Sequence, residues 1–465
     1  MLASTAQVRD GDGRDKFTAA ALLGVMVLEL VHLALGLGWA RIGACVSMVA
    51  VVPLTARRLG LREAYLLTLC AGLTAAILWV HETPASALIL ALDQAIFLMA
   101  FIMLVGLIQQ AAMTSPAILE CGTFLTRQRA GRRYFALFLG THTMAHLFNL
   151  GVVSLLTPLI QRGTADKTDP LNSVRERRQI NSMLRGFAWA VIWSPTAVAP
   201  LVLMTMLPEA RRGPWIAVGL VIAMVIMLIG WAEDRWANRT HQPVAGAASP
   251  PFPTRAYGRF ASVCAALLCL TVAAMMLFDG TVVFGLMISS PIILVGWLLV
   301  QNAGAWKPTR DRLGEIGLDH LPKAAPLAVT LACSGYVGRA GAALIPAAEW
   351  SEALGLENWP GWLFLLSLSV GVAVLGQFAL SPIMMAVFFG SLVAAIPQLP
   401  VDVTWAALAI SCGWALSMTA SPFATVILMV AGATEHTGRQ MAWVWNGRFS
   451  LLATLFLGVA FWLLA

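Results

Sequence analysis

Two stretches of this chain are apolar enough for lipid yet interrupted where a lipid-embedded helix cannot be. Residues 134–161 hold the runs YFALFLGTHTMAHLF and VVSLLTPLI, joined at Asn149-Leu150-Gly151. Each run has roughly 10–15 residues, short of the about 20 that a helix needs to cross a bilayer. The pair therefore reads as a re-entrant helical hairpin. The next run, 183–207, is long enough to cross but is broken at Ser194-Pro195-Thr196. Proline removes a backbone donor and clashes with the preceding turn. The freed groups must face protein or a wet cavity. The same order recurs later. A hairpin over 363–396 kinks between Gln377 and Pro382, and a crossing segment over 404–431 opens at Ser421-Pro422. A hairpin tip meeting a broken helix offers helix N-termini, which suit an anion, and loose carbonyls, which suit Na⁺. The expectation is a secondary transporter. A kinked helix with no ligand is the plain alternative, and recurrence in both halves argues against it.

The rest of the chain fits that setting. Of 465 residues, 59% are hydrophobic and 11% charged, against about a quarter charged in a soluble domain. This implies an all-α polytopic membrane protein. The net charge of +7 sits in short loops, where it sets orientation and implies no nucleic-acid partner. Seven cysteines, none in a CxxC, read as small buried residues, with no disulfide framework and no metal site. The polar N-terminus shows no cleavable signal peptide, and the first apolar run reads as a span.

Residues 1–40 read as a tail and a peripheral first span, and 41–233 as a first repeat. Residues 234–256 form a cytoplasmic linker, and 257–465 a second repeat. Arg57, Arg58 and Arg62 put the loop after span 2, and the N-terminus, inside. The basic stretches TRQRAGRR and Arg162–Arg178, which includes Lys167, flank the first hairpin on that same side. A full crossing there would put one of them outside. The acidic EWSEALGLENWPG precedes the second hairpin from the outside. The total is about eleven spans plus two hairpins that open to opposite faces. That is an inverted-topology repeat, with cargo near the midplane. The expected location is a bacterial-type inner membrane, N-terminus cytoplasmic and C-terminus periplasmic.

The helix containing LVG (residues 104–106), the basic TRQRAGRR, the hairpin ending LLTP, SPTAVAP at 194–200 and SPFAT at 421–425 together resemble the ion transporter superfamily. That group includes divalent anion/sodium symporters, arsenite exporters and a class of sodium/proton antiporters. The resemblance implies a scaffold domain, a mobile transport domain, elevator-type movement and a homodimer. Its dicarboxylate symporters carry Ser-Asn-Thr at both tips. Here the tips read Phe148-Asn149-Leu150 and Leu380-Ser381-Pro382, so Asn149 and Ser381 alone match. The acidic tip residue of the antiporter class has no counterpart.

Candidate substrate ligands are the short polar groups at the breaks: Asn149, Ser194, Thr196, Gln377, Ser381, Thr419 and Ser421. The same residue types also cap helix ends. His142 and His146 lie one turn apart and share a face with Thr141 and Thr143 beside them. They suit an anion or a proton, or bonding within the domain; a zinc site would need a third ligand. Arg339, inside an apolar run, suits a carboxylate, or ends its span and snorkels. Gln109 and Gln110 hold the matching place in the first half. Asn149, Ser194 and Ser421 are the candidate ion-coupling residues, with Asp93 as a proton site. Glu29 and His32 pair with each other on the first span. Many of the tryptophans sit near expected span ends, as an interface belt would require.

The function expected is ion-coupled transport of a small organic anion such as a carboxylate. Na⁺ is preferred over H⁺ because the tips are rich in hydroxyls and poor in acids, and no cofactor is expected. Inorganic oxyanion transport or Na⁺/H⁺ exchange is the alternative. A membrane enzyme using the two histidines would need an acid or nucleophile facing them, and no enzyme is expected.

Overall fold

The computed structural model describes residues 4–166, 169, 171–240 and 250–465. Lys167 and residues 241–249 of the expected linker lie outside the described residues. The regular elements described are all helical. α1 (Ser4–Leu35) turns at Gly36, φ +66°, into α2 (Gly38–Thr55); α3 (Leu61–Val80) and α4 (Pro84–Met113) follow. Prolines start α4 and α5 (Pro116–Thr126), where the missing N–H would have no partner anyway. α6 (Ala130–Phe148), α7 (Gly151–Gly163), α8 (Leu171–Ala190), α9 (Val198–Met206) and α10 (Arg212–Ala237) complete the first half. The second half holds α11 (Thr254–Phe278), α12 (Val282–Gln301), α13 (Trp306–Glu315), α14 (Leu321–Lys323), α15 (Ala325–Ala343) and α16 (Ala347–Ala353). Then come α17 (Gly361–Leu375), α18 (Pro382–Ala395), α19 (Val403–Ala420), α20 (Thr425–Ala433) and α21 (Gly447–Leu464). Among the described residues, ten helices are long and apolar enough to cross a membrane, or eleven if α15 and α16 count as one span.

Two compact units share these helices. One comprises residues 1–114 and 261–344, the other 115–260 and 345–465. Each unit draws on both halves of the sequence. In the first, α1 packs on α2 and α4, with Leu22, Val25 and Met26 buried. α15 lies along α3 through Thr330–Glu63 (3.1 Å) and Thr74–Tyr336 (2.6 Å). Gly335 sits on the backbone carbonyl of Gln94, where any Cβ would collide. Small residues at such crossings let membrane helices approach closely.

The second unit contains both interrupted segments. α6 runs alongside α8 in the same direction. Ser182 Oγ donates to Tyr134 O (2.7 Å), and at the far end Thr196 Oγ1 donates to His146 O (2.5 Å). The chain reverses at Asn149–Leu150, and α7 returns until Thr157 lies against Met183. α17 likewise runs with α19. Ser369 Oγ donates to Ala409 O (2.6 Å) and Ser421 Oγ to Gly376 O (2.6 Å). α18 then folds back, so that Phe389 lies against Gly371. Each reversal passes through a non-glycine residue at positive φ, Asn149 (47°) and Ala379 (62°). Such residues are uncommon and cluster at functional sites.

The two break helices run in opposite directions. α10 is antiparallel to α8, since Trp215 bonds Ile192 O (2.8 Å) and Gly230 O meets Arg185 (3.2 Å). α19 starts beside the start of α10, with Arg211 N donating to Thr404 Oγ1 (3.0 Å). It ends beside α21, where Thr419 meets Ser450 and Asn446 reaches back to Arg185. It therefore runs with α10 and against α8.

Asp402 begins α19. Its carboxylate accepts from Thr404 N (2.8 Å) and pairs with Arg211 (2.9 Å). These bonds, the one from Thr404 first, hold its pKa below the usual aspartate value. A depressed folded pKa means the contribution is complete above the ordinary aspartate range and is lost as pH falls through the folded value. Asp402→Ala is expected to cost about 1 kcal/mol of stability at neutral pH. Thermal unfolding at pH 7 and in acid checks this: the gap between variant and parent should close in acid.

Candidate functional site

The sequence positions at the two breaks superimpose at one constant offset. Ser194 N bonds Ala190 O, Ala197 N bonds Ser194 O, and Leu201 N bonds Ala197 O. Ser421 N bonds Ser417 O, Ala424 N bonds Ser421 O, and Leu428 N bonds Ala424 O. α9 and α20 begin and end at matching positions, and both breaks carry Ser-Pro. The crossings that seat these helices also match. Gly186 rests on the Phe138 backbone and Gly413 on that of Ser369. Proline at the second position blocks the next helical bond in each copy, so both chains open the same way.

Each break is tied to its own reversal. At the first, Thr196 bonds the carbonyl of His146 and shares its hydroxyl with Ser194 Oγ at 3.2 Å. At the second, Ser421 Oγ donates to Gly376 O and accepts from Phe423 N (3.1 Å). Gln377 Nε2 donates to Ala373 O (3.2 Å) and Ala420 O (3.3 Å), while its Oε1 accepts from Trp443 (3.1 Å). Ser381 caps α18, accepting from Met384 N (3.2 Å). Thr419 meets Ser450 Oγ at 3.3 Å. Asn149 stands at the first reversal with φ 47° and ψ −127°. Three buried atoms around these clusters have no hydrogen-bond partner: Thr141 Oγ1, His146 Nδ1 and Ser417 Oγ.

His142 is turned to the protein interior in this arrangement. Its ring is buried, its Nε2 accepts from Trp193 Nε1 (2.8 Å), and its Nδ1 meets Gly186 O at 3.1 Å. The indole N–H can only donate, so the hydrogen-bond network assigns a neutral ring protonated on Nδ1. Both nitrogens are spent on protein, and the ring holds hairpin to break helix. His146 stands edge-on to Trp193 (4.7 Å between centroids). Thr143 bonds Leu139 O on its own helix. His142→Leu should cost about 2 kcal/mol, because it leaves the Trp193 N–H unpartnered and removes the bond that ties α6 to Gly186 O. Thermal unfolding would show this. Among the described residues, no three His, Cys, Asp or Glu side chains gather to hold a metal ion.

The remaining candidates lie in the first unit, and both breaks in the second. Asp93 accepts two bonds from Arg41 (2.6 and 2.5 Å). Glu29 is buried with Arg41 and Asp93 as its charged neighbours. It does not pair with His32, whose Nδ1 meets Leu37 O (3.3 Å). Arg339 lies on α15, and Gln109 and Gln110 on α4.

Sequence reasoning missed a buried polar network in the second unit. Arg185 is 1% exposed, pairs with Glu233 at 3.0 Å, and donates to Asn446 Oδ1 (2.9 Å). It lies over the Phe449 ring at 4.1 Å. Arg178 makes a forked pair with Asp234 (2.7 Å). The basic residues of α8 therefore do more than set orientation; they join α8 to α10 and α21. The available signal was Glu233-Asp234 ending one apolar run opposite an arginine beginning another. Trp189, Trp193 and Trp215 are not an interface belt either: Trp189 and Trp215 are buried, and Trp193 and Trp215 donate inside the unit.

No protein-family profile and no curated protein matches this chain. Among solved structures, it is similar to the YdaH transporter of Alcanivorax borkumensis, whose crystal structure was described as showing an unusual topology. The TM-score is 0.55 at 14% identity, over 87% of this chain and 98% of that one. The likeness covers nearly the whole neighbour, and it establishes a polytopic helical fold of that kind.

Proposed function

We propose that this chain is an ion-coupled secondary transporter of a small organic anion, such as a carboxylate, embedded in a bacterial-type inner membrane. One observation carries the reading: two breaks with the same backbone bonding, on antiparallel helices, each tied to the tip of a chain reversal. In lipid, such breaks are tolerated only around a cavity or protein, and paired in opposite senses they form an inverted repeat with a binding site between. On this reading α6–α7 and α17–α18 are re-entrant hairpins entering from opposite faces. The second unit is the mobile domain, and the first is the scaffold through which two copies pair. The likeness to a known transporter supports it.

Asn149, Ser194 and Thr196 serve one tip; Gln377, Ser381, Thr419 and Ser421 serve the other. Their hydroxyl and amide oxygens keep lone pairs after capping the breaks, and Ser417 Oγ adds an unspent one. Oxygen-rich, acid-free tips suit Na⁺ better than H⁺. The substrate carboxylate faces the helix N-termini of α9 and α20.

Proteoliposomes carrying an inward Na⁺ gradient test the proposal against labelled carboxylates, sulfonates and inorganic oxyanions. Accumulation of an organic anion that collapses with a Na⁺ ionophore is expected. Accumulation of oxyanions alone would shift the reading to the inorganic class, and no ion-driven flux of any anion would refute it.

A further inference from the structure

Away from both reversals, the start of α6, the middle of α8 and the end of α10 enclose a cleft lined by Arg133, Tyr134, Arg178 and Asp234. The cleft is narrow and opens to solvent at its mouth. Asp234 is already neutralised by the forked contact from Arg178 (3.1 and 2.7 Å) and accepts from Asn238 (3.3 Å). Arg133 spends its Nε on Gln128 O (3.0 Å) and, among the described residues, ion-pairs with no carboxylate. Arg175 and Arg178 stand near enough to repel it. Tyr134 is only 5% exposed, and its hydroxyl lies beside Arg185 without a well-aligned hydrogen bond. A buried donor left unmade costs free energy. Beside an excess guanidinium, that unmade bond marks a place for an anion.

We propose that this cleft binds a phosphate-bearing group, either free phosphate or the phosphodiester of an anionic lipid headgroup. The guanidinium fork of Arg133 matches two phosphate oxygens. The Tyr134 hydroxyl supplies a further donor, and the phosphate charge offsets the crowding of Arg133 by Arg175 and Arg178. Because the cleft joins α6 to α8 and α10, an occupant braces the first hairpin against the break helix. The site stands independently of what the chain transports.

The test uses the full-length protein. Thermal unfolding in detergent is followed with inorganic phosphate against chloride at matched ionic strength. In parallel, nanodiscs of phosphatidylcholine with and without phosphatidylglycerol are compared, with native mass spectrometry of retained lipid. Saturable stabilisation by phosphate assigns the free anion. Stabilisation and retention of phosphatidylglycerol, with no response to phosphate, assign the headgroup. In either case Arg133→Gln should weaken the effect about ten-fold or more, as expected for loss of a charged hydrogen bond. Tyr134→Phe, which keeps the ring in place, should weaken it by a few-fold. No response to either ligand, or a response unchanged in both variants, overturns the proposal.

Discussion

Replacing Arg185 with alanine is expected to cost about 3–5 kcal/mol of stability, the usual penalty for leaving one partner of a buried ion pair alone. Glu233 is 8% exposed on its side chain and would be left without its partner at 3.0 Å. Asn446 would lose the bond to its Oδ1, though its amide still donates to Asn181 and Met441 O. The face of Phe449 would lose the cation lying over it. The loss falls where α8, α10 and α21 meet, so the second unit should loosen as a whole. The double variant Arg185→Met with Glu233→Met should recover most of it, because removing both charges leaves none uncompensated. Thermal unfolding of the purified protein decides. A change under about 1 kcal/mol for Arg185→Ala would mean that water already screens the pair.

On the proposed function, Asn149→Gly and Ser421→Ala should each bring Na⁺-driven uptake down by about 10- to 100-fold, the scale of one lost hydrogen bond to a charged group. The two variants separate ligand contact from folding in opposite ways. Asn149 sits at φ 47°, a conformation glycine adopts at lower cost. Asn149→Gly should therefore fold as well as the parent or better while losing its amide oxygen. Ser421→Ala releases Gly376 O and Phe423 N and should cost about 1 kcal/mol. Uptake at the parent rate by Asn149→Gly would remove the first tip from the binding site, whatever the stability result.

The interruptions were legible in the sequence because proline acts locally. Pro195 and Pro422 open their helices at the expected positions, and the chain turns at Asn149 as expected, although α6 (Ala130–Phe148) is longer than the apolar run that begins at 134. The limits of α8 were not legible. It begins at Leu171, well before the apolar run that starts at 183. Its first turns are polar, and Arg178 among them finds Asp234 on a helix distant in sequence. Periodicity within a window cannot pair Arg185 with Asn446 or Arg178 with Asp234. Nor can it tell an indole at the interface from Trp193, whose N–H is taken by His142. His142 illustrates the same point: its helix face was readable, and the two partners that fill its nitrogens were not. The division into two units was hidden for another reason, since each is assembled from segments of both halves.

Sided labelling of single cysteines, in a background lacking the native ones, tests the central arrangement most directly. Arg129→Cys and Arg162→Cys flank the first reversal, and Glu357→Cys and Gln398→Cys flank the second; all four positions are exposed. A membrane-impermeant thiol reagent should reach both members of a pair from one face only, and the two pairs from opposite faces. If either pair were split across the membrane, or both pairs labelled from the same face, the inverted re-entrant arrangement would be contradicted.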